Sequence, residues 1–256
     1  MNTAFNLIYL GGPTVIIEIA GLRIMTDPTL DPKGTAFEIN GKVAEAKLAG
    51  PAITDIGKID LVLLSHDQHN DNLDNAGREL LKKGMLTITT RNGAGRLKGN
   101  TRGLLPWEQT TVRLPNGKEL EITATPARHG PSGTEKITGD VIGFLLRIKG
   151  DSDLPIYLTG DTVFFDGIAE VAHRYQPRYV FFFAGAARPR GPFSVTMTSN
   201  DALDTAAAFP NATLIPLHFE GWSHYTENGD VLKGAFTATE TVQRLYFPPL
   251  GKSVEL

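Results

Sequence analysis

Hydrophobic positions open the chain in short alternating runs. Leu7-Ile8-Tyr9-Leu10, Thr14 to Ile19 and Leu22 to Thr26 are rich in β-branched and aromatic residues, separated by Gly11-Gly12-Pro13 and by Gly21. That pattern predicts an antiparallel meander. Ile59-Asp60-Leu61-Val62-Leu63-Leu64 is nearly continuous in its apolar character and suits a strand buried on both faces. Further strands are predicted at Leu120–Thr125, Pro155–Thr159 and Thr213–Leu217, each ending abruptly in polar residues. Helical patterns cover roughly Leu73–Lys83, Phe164–Tyr175, Ser199–Ala208 and Val231–Thr239, with Ser199 placed to cap the third and Asp201 in its first turn. Strands alternating with helices predict an α/β fold. Between Asp31 and Lys58, Gly, Pro and Ala accumulate without a sustained period, which predicts a long loop over a site.

Composition narrows the class. The chain has 256 residues, 41% hydrophobic and 21% charged, which predicts one globular domain over residues 1–256. No stretch approaches the ~18–20 consecutive apolar residues of a membrane span, so a soluble protein is expected. The opening Met1-Asn2-Thr3-Ala4-Phe5-Asn6 lacks a basic segment followed by an apolar one, and the expected location is cytoplasmic. A net charge of -3 without basic runs argues against nucleic acid or an anionic membrane as partner and leaves a small molecule. A homo-oligomer is compatible with the sequence and not required by it. The chain has no cysteine, so a metal would find only N and O donors.

Polar residues of the kind that bind metals cluster where the apolar runs stop. The segment Ser65-His66-Asp67-Gln68-His69-Asn70-Asp71-Asn72-Leu73-Asp74 follows one predicted strand and precedes a helix. It therefore lies outside a strand's carboxyl end, where open α/β sheets place their ligands. Imidazole and carboxylate together suit zinc or another first-row divalent metal; a helix-capping loop with solvated side chains is the competing, weaker reading of this segment taken alone. Similar junctions occur at Pro126-Ala127-Arg128-His129, Gly160-Asp161-Thr162 and His218. Singly, each has an ordinary explanation: a hydrogen-bonded histidine, a turn or cap, a core histidine. His173, on a predicted helix, reads as solvated. Ligand-type residues at successive strand ends converge on one sheet edge, and together they point to a metal centre.

On these residues the chain resembles the metallo-β-lactamase superfamily, and within it the ascorbate-6-phosphate lactonase-like hydrolases, over nearly its whole length. The features match in order: a β-meander ending in Asp27-Pro28, Leu-Leu-Ser-His-Asp at Leu63–Asp67, Pro-Ala-x-His at Pro126–His129, Thr-Gly-Asp-Thr at Thr159–Thr162 followed by Phe164-Phe165-Asp166-Gly167, and Pro-Leu-His at Pro216–His218. The resemblance implies a four-layer αββα sandwich whose two halves each supply one mixed sheet, with the metals at the shared edge. It implies His66, His69 and His129 as ligands of one metal, Asp161 as a bridge, and Asp71 with His218 as ligands of a second. It also implies that Asp71 orients or deprotonates the attacking water.

Two departures stand out against the family's His-x-His-x-Asp-His motif. Asp67-Gln68 separates His66 from His69 where the family has one residue, and an ungapped reading would put Asp67 in the first ligand position. Asn72 stands where the family has its last histidine; a neutral amide is a poorer ligand than imidazole, although an oxygen-preferring metal such as manganese tolerates it. The expected cofactor is one or two divalent ions per chain, zinc first and manganese second. Arg128 and His224 are candidates for substrate contact, and His224 also for a catalytic role. The expected reaction is attack of a metal-activated water on a small ester, a lactone first. A phosphodiesterase or other phosphoester hydrolase on the same scaffold is the alternative, disfavoured because phosphoester cleavage gains from two complete metal sites. A non-catalytic binding domain with a degenerate metal site is the third reading, resting on Asn72 alone.

Overall fold

The computed structural model describes residues 4–39, 42–150 and 156–256. The opening runs form β1 (Phe5–Gly11), β2 (Thr14–Ile19) and β3 (Leu22–Thr26), paired antiparallel as a meander. After a hairpin of β4 (Ala36–Ile39) and β5 (Lys42–Ala46), the apolar run at 59–64 forms β6 (Leu61–Leu63), parallel to β3. Then come α1 (Asn75–Leu81), β7 (Leu86–Thr90), α2 (Arg91–Leu97) and β8 (Thr101–Leu104). The second half contains β9 (Gln109–Arg113), β10 (Glu119–Pro126), α3 (Glu135–Thr138), β11 (Ile142–Ile148), β12 (Ile156–Leu158), α4 (Asp166–Arg174), β13 (Tyr179–Phe183), α5 (Ser199–Ala208), β14 (Thr213–Leu217), α6 (Gly229–Ala238) and β15 (Ser253–Glu255).

Besides the two-stranded β4-β5 sheet, the described residues form a seven-stranded sheet in the order β15-β1-β2-β3-β6-β7-β8 and a six-stranded one in the order β14-β13-β12-β11-β10-β9. The period of two decides how the two large sheets pack. Val15, Ile17, Ile24, Leu61 and Leu63 join the core shared with the second sheet, whereas Ile16, Met25 and Val62 join a separate core with Leu73 and Leu80 under α1. Ile168, Val171, Ala202, Ala206, Leu232 and Phe236 cover the other side of the second sheet from α4, α5 and α6. These are the four layers of the αββα sandwich. Full burial of each large aliphatic side chain contributes about 1.5–3 kcal/mol.

The structure corrects several expectations. The first sheet is not built by the first half alone, because the chain returns at its end and β15 pairs antiparallel with β1. The segment from Asp31 to Lys58 is not one irregular loop, since the β4–β5 hairpin lies within it. Thr198, not Ser199, caps α5: its hydroxyl accepts from the Asp201 N–H while Asp201 reaches back to the Thr198 N–H. Ser199 is instead bound to the carboxylate of Glu227, 2.7 Å from its backbone nitrogen. Pro155, the expected start of β12, lies outside the described residues, as do Met1, Asn2 and Thr3. Among the described residues no helix is long and apolar enough to cross a membrane.

One backbone contact fixes where α1 leaves the Ser65–Asp74 segment. A Cβ added to Gly77 would stand 2.0 Å from the carbonyl oxygen of Pro28, so α1 can approach the end of β3 only with glycine there. Gly77→Ala is expected to destabilise the protein by about 1–3 kcal/mol, the usual cost of forcing atoms into packed space. Denaturant unfolding checks this, and an unchanged midpoint would refute the close packing.

Candidate metal centre

Three residues past the last residues of β6, β10 and β12 stand His66, His129 and Asp161, and His218 directly follows β14. β12, β13 and β14 are mutually parallel, and β10 and β12 are each antiparallel to β11, so these ends of the second sheet share one edge. The end of β6 meets them from the first sheet.

Three imidazoles converge there. Nε2 of His66 lies 2.8 Å from Nδ1 of His69, and Nε2 of His129 lies 3.0 Å from the same atom. Their tautomers follow from the opposite ring nitrogens. His129 Nδ1–H donates to the carbonyl of Val195 at 2.7 Å. Ser65 gives its hydroxyl proton to Asp27 at 2.6 Å, so that its oxygen accepts from His66 Nδ1–H at 2.9 Å. The Nε2 lone pairs of His66 and His129 therefore both face inward. Asp161 joins the two halves of the centre: its Oδ2 lies 3.9 Å from His66 Nε2 and 3.7 Å from His129 Nε2, and its Oδ1 lies 3.3 Å from His218 Nε2. His218 Nε2 is also 3.2 Å from Asp71 Oδ2. Two donor groups thus meet at one carboxylate, His66, His69, His129 and Asp161 on one side and Asp71, Asp161 and His218 on the other.

The backbone is bent to achieve this. Gly160, at a φ of +64°, admits Asp161 because a Cβ there would come within 2.7 Å of the Ile142 carbonyl oxygen. His218 holds a φ of 62° and Asp27 one of 30°, left-handed values that are uncommon for residues with a Cβ. The N–H of His218 is pinned to Gly12 O at 2.7 Å. Strain of this kind persists where surrounding contacts over-determine it, commonly at functional sites.

Electrostatics separate the two groups. Burial, reinforced by the neighbouring imidazoles, lowers His66 well below its usual range and His129 to about 3. Burial also lowers His69, opposed by Asp71. These three rings are neutral, the form in which imidazole binds a metal. Burial would lower His218 as well, but Asp161 and Asp71 outweigh it and raise it to about 9. Asp161 is raised to about 6, by burial first. For Asp71 burial is outweighed by His224 and His218, which hold its carboxyl well below the ordinary range. The field that draws a proton onto His218 would equally draw a cation. Asp161 Oδ2 and Asn72 Oδ1 are buried without a hydrogen-bond partner. The nitrogen separations come near the roughly 3.3 Å edge of a tetrahedron around zinc with Zn–N of about 2.0–2.1 Å. The residues present therefore fit a divalent cation.

The other predicted residues divide. Asp67 is turned away from the cluster, its carboxylate held by Arg96, so His66 and not Asp67 faces the other donors. Asn72 is buried beside the centre, its Nδ2 donating to Asp161 Oδ1 at 3.2 Å. His224 Nε2–H donates to Asp71 Oδ2 at 2.8 Å. Arg128 is not brought to the cavity: its guanidinium lies over the Phe165 ring, 4.9 Å from the centroid, in a groove on the far side of His129. His173 is exposed on α4, as a solvated histidine should be.

A cavity of about 360 Å³ opens on the centre, lined by His69, Asp71, His129 and His224 together with Glu45 and Arg190. The last two were not foreseen. Glu45 comes from β5, which is bonded to the chain before His224 through Ala46 N to Ser223 Oγ and Ser223 N to Ala46 O, both 3.0 Å. The 31–58 segment thus reaches the site through a strand. Arg190 stands in the Pro189-Arg190-Gly191-Pro192 turn, and no strand-end pattern marked it. Tyr225, in the loop after His218, also reaches the site, its hydroxyl donating to Asp71 Oδ2 at 3.3 Å.

The profile of the "Beta-lactamase superfamily domain" matches residues 22–219. The UPF0173 protein YddR of Bacillus subtilis (strain 168) is 27% identical over 240 residues, covering 89% of this chain and 91% of that protein. A UPF0173 metal-dependent hydrolase of Pyrococcus furiosus is 26% identical over 218 residues, covering 84% of each. Among solved structures, an isothiocyanate hydrolase from Delia radicum gut bacteria shares the fold with a TM-score of 0.83 at 22% identity, over 97% of this chain and 98% of that one.

Proposed function

The chain belongs to the β-lactamase superfamily domain family and is a metal-dependent hydrolase; from that premise we propose that, as a single domain, it opens small esters, lactones first, at the His66–His69–His129–Asp161 centre. The observation that carries this reading is the position of Asp161, one oxygen towards three neutral imidazoles and the other towards His218. A divalent cation held there, zinc first and manganese second, would lower the pKa of a water to about 7 and polarise the scissile carbonyl. His66, His69 and His129 would hold it, with Asp161 shared between this group and a second one formed by Asp71 and His218.

The chain's own residues supply the rest. Asp71 lines the cavity as a carboxylate, steadied by hydrogen bonds from His224 and Tyr225, and it would orient the attacking water and take its proton. His224 holds Asp71 in place and stabilises its charge. Glu45 and Arg190 give the cavity walls opposite charges, and the volume suits a small molecule. Asn72 donates to Asp161 and supplies no imidazole, so the second group has one imidazole and two carboxylates. Phosphoester cleavage gains from two matched metal sites that clamp attacking and leaving oxygens, and the asymmetry favours an acyl substrate.

The test is kcat/KM on zinc- and manganese-loaded protein for γ- and δ-lactones, aryl esters, bis(p-nitrophenyl) phosphate and an aryl isothiocyanate. Lactones are expected to exceed the phosphodiester by at least ~100-fold, about 2.7 kcal/mol of differential transition-state binding. A preference for the phosphodiester would assign the site to phosphoester hydrolysis instead. Metal loading without turnover of any lactone or ester would remove the substrate assignment.

A further inference from the structure

The additional residue between His66 and His69 has a definite place in the structure. It forms an outward bulge whose two side chains are tied down separately. Asp67, with 4% of its side chain exposed, receives Arg96 Nε at 2.9 and 3.2 Å on its two oxygens and also the terminal guanidinium nitrogen. Its carbonyl oxygen accepts from Arg78 at 2.6 Å. Gln68 Nε2 donates to Asp140 Oδ1 at 3.0 Å, and Arg96 lies 3.8 Å from that same oxygen. Two glycines make room for the bulge. A Cβ on Gly139 would stand 2.3 Å from Gln68 Nε2, and one on Gly93 would stand 3.0 Å from Asp67 Oδ1.

We infer that Arg96 is a positioning residue that fixes the spacing of His66 and His69, a reading that rests on those histidines being ligands. An inserted residue adds up to about 3.8 Å of chain between the two rings. Left free, that slack would let the rings adopt many relative placements, and the metal would have to order them on binding. Arg96 removes the slack by gripping Asp67, the residue directly after His66, from the last turn of α2. Its planar fork spans both carboxylate oxygens, so the grip sets an orientation as well as a charge balance. No other cation forms an ion pair with Asp67 among the described residues. The anchor touches neither the cavity nor the donor atoms, so its influence passes only through the backbone of the motif.

The experiment compares wild type, Arg96→Met and Arg96→Lys in chelator-competition titrations and in the visible spectrum of the cobalt-substituted protein. Arg96→Met is expected to weaken the three-imidazole site by about 10–100-fold, the usual penalty for removing a group that orients a ligand, and to shift its cobalt bands. The carboxylate-rich group should keep its affinity. Turnover should fall in kcat with KM changing by less than about 3-fold. Arg96→Lys, which keeps the charge but not the fork, should restore part of both effects. A folded Arg96→Met protein with wild-type affinity and an unshifted spectrum would overturn the inference. If that variant does not fold, Asp67→Asn replaces it, with the same shift expected at smaller amplitude and an unshifted spectrum again decisive. Wild-type protein that takes up no cobalt would instead overturn the ligand reading itself, so the two failures are distinct.

Discussion

Asp161→Asn is expected to lose bound metal and to lower kcat/KM by at least about 1,000-fold, the scale on which removal of a central charge-stabilising group acts. The substitution keeps the size and planarity of the side chain and deletes the one negative charge that both donor groups share. On one side it leaves three neutral imidazoles, and on the other Asp71 and His218 alone. Stoichiometry by metal analysis should show wild-type protein holding ions that the variant does not. Added zinc should raise the thermal midpoint of the wild type through binding to the folded state and leave that of the variant unmoved. A second signature is independent of activity. In chelator-treated wild type, His218 should titrate near 9, because Asp161 and Asp71 outweigh its burial. In the variant the charge of Asp161 no longer supports the proton, burial regains weight, and the histidine should lose its proton at lower pH. NMR of the imidazole resonances reads this directly. Retention of metal at wild-type stoichiometry would mean that Asp161 does not join the two groups.

Much of this centre was legible because strand ends are legible. Apolar runs that stop abruptly at His66, His129, Asp161 and His218 locate residues at the carboxyl ends of strands, and the sandwich brings those ends together. Neighbouring residues were harder to place. On extended backbone, successive side chains take opposite faces, so when His129 turns to the centre Arg128 turns to Phe165. Asp67 is separated from His66 by a bend in the backbone at 67–68 and by the hold of Arg96 on its carboxylate. Glu45 and Lys47 were illegible for a different reason. A charged residue in a Gly- and Pro-rich segment belongs on the surface by default, and only its partners show otherwise. The hairpin was missed with them, because four- and five-residue strands flanked by turn residues carry too little periodicity to mark themselves.

Lys47→Met should destabilise the protein by about 3 kcal/mol, the lower end of the cost of leaving a buried charge without its partner. Lys47 follows β5 with 3% of its side chain exposed, and its ammonium lies 2.9 Å from Asp74 Oδ2, in a carboxylate that is fully buried. It also donates to Thr29 O at 2.8 Å and lies 5.3 Å from the Trp222 ring centroid. Asp74 caps α1 by accepting from Gly77 N–H at 2.8 Å and receives Asp31 N–H at 2.7 Å, so it keeps two donors when the lysine is lost. Those donors place the estimate at the low end, and methionine preserves the packing of the stem. Lys47→Met combined with Asp74→Asn should recover part of the loss, since a neutral asparagine retains the Gly77 cap through its oxygen without an unpaired charge, while its amide nitrogen cannot accept from the Asp31 N–H. The function should respond to the single change as well. Lys47 ties the strand that carries Glu45 to the helix that follows the Ser65–Asp74 segment, so releasing it loosens one wall of the cavity and should raise KM more than it lowers kcat. Denaturant unfolding of the two single variants and the double variant measures the coupling. A coupling energy near zero between the two substitutions would show that the ion pair does not hold the hairpin to α1.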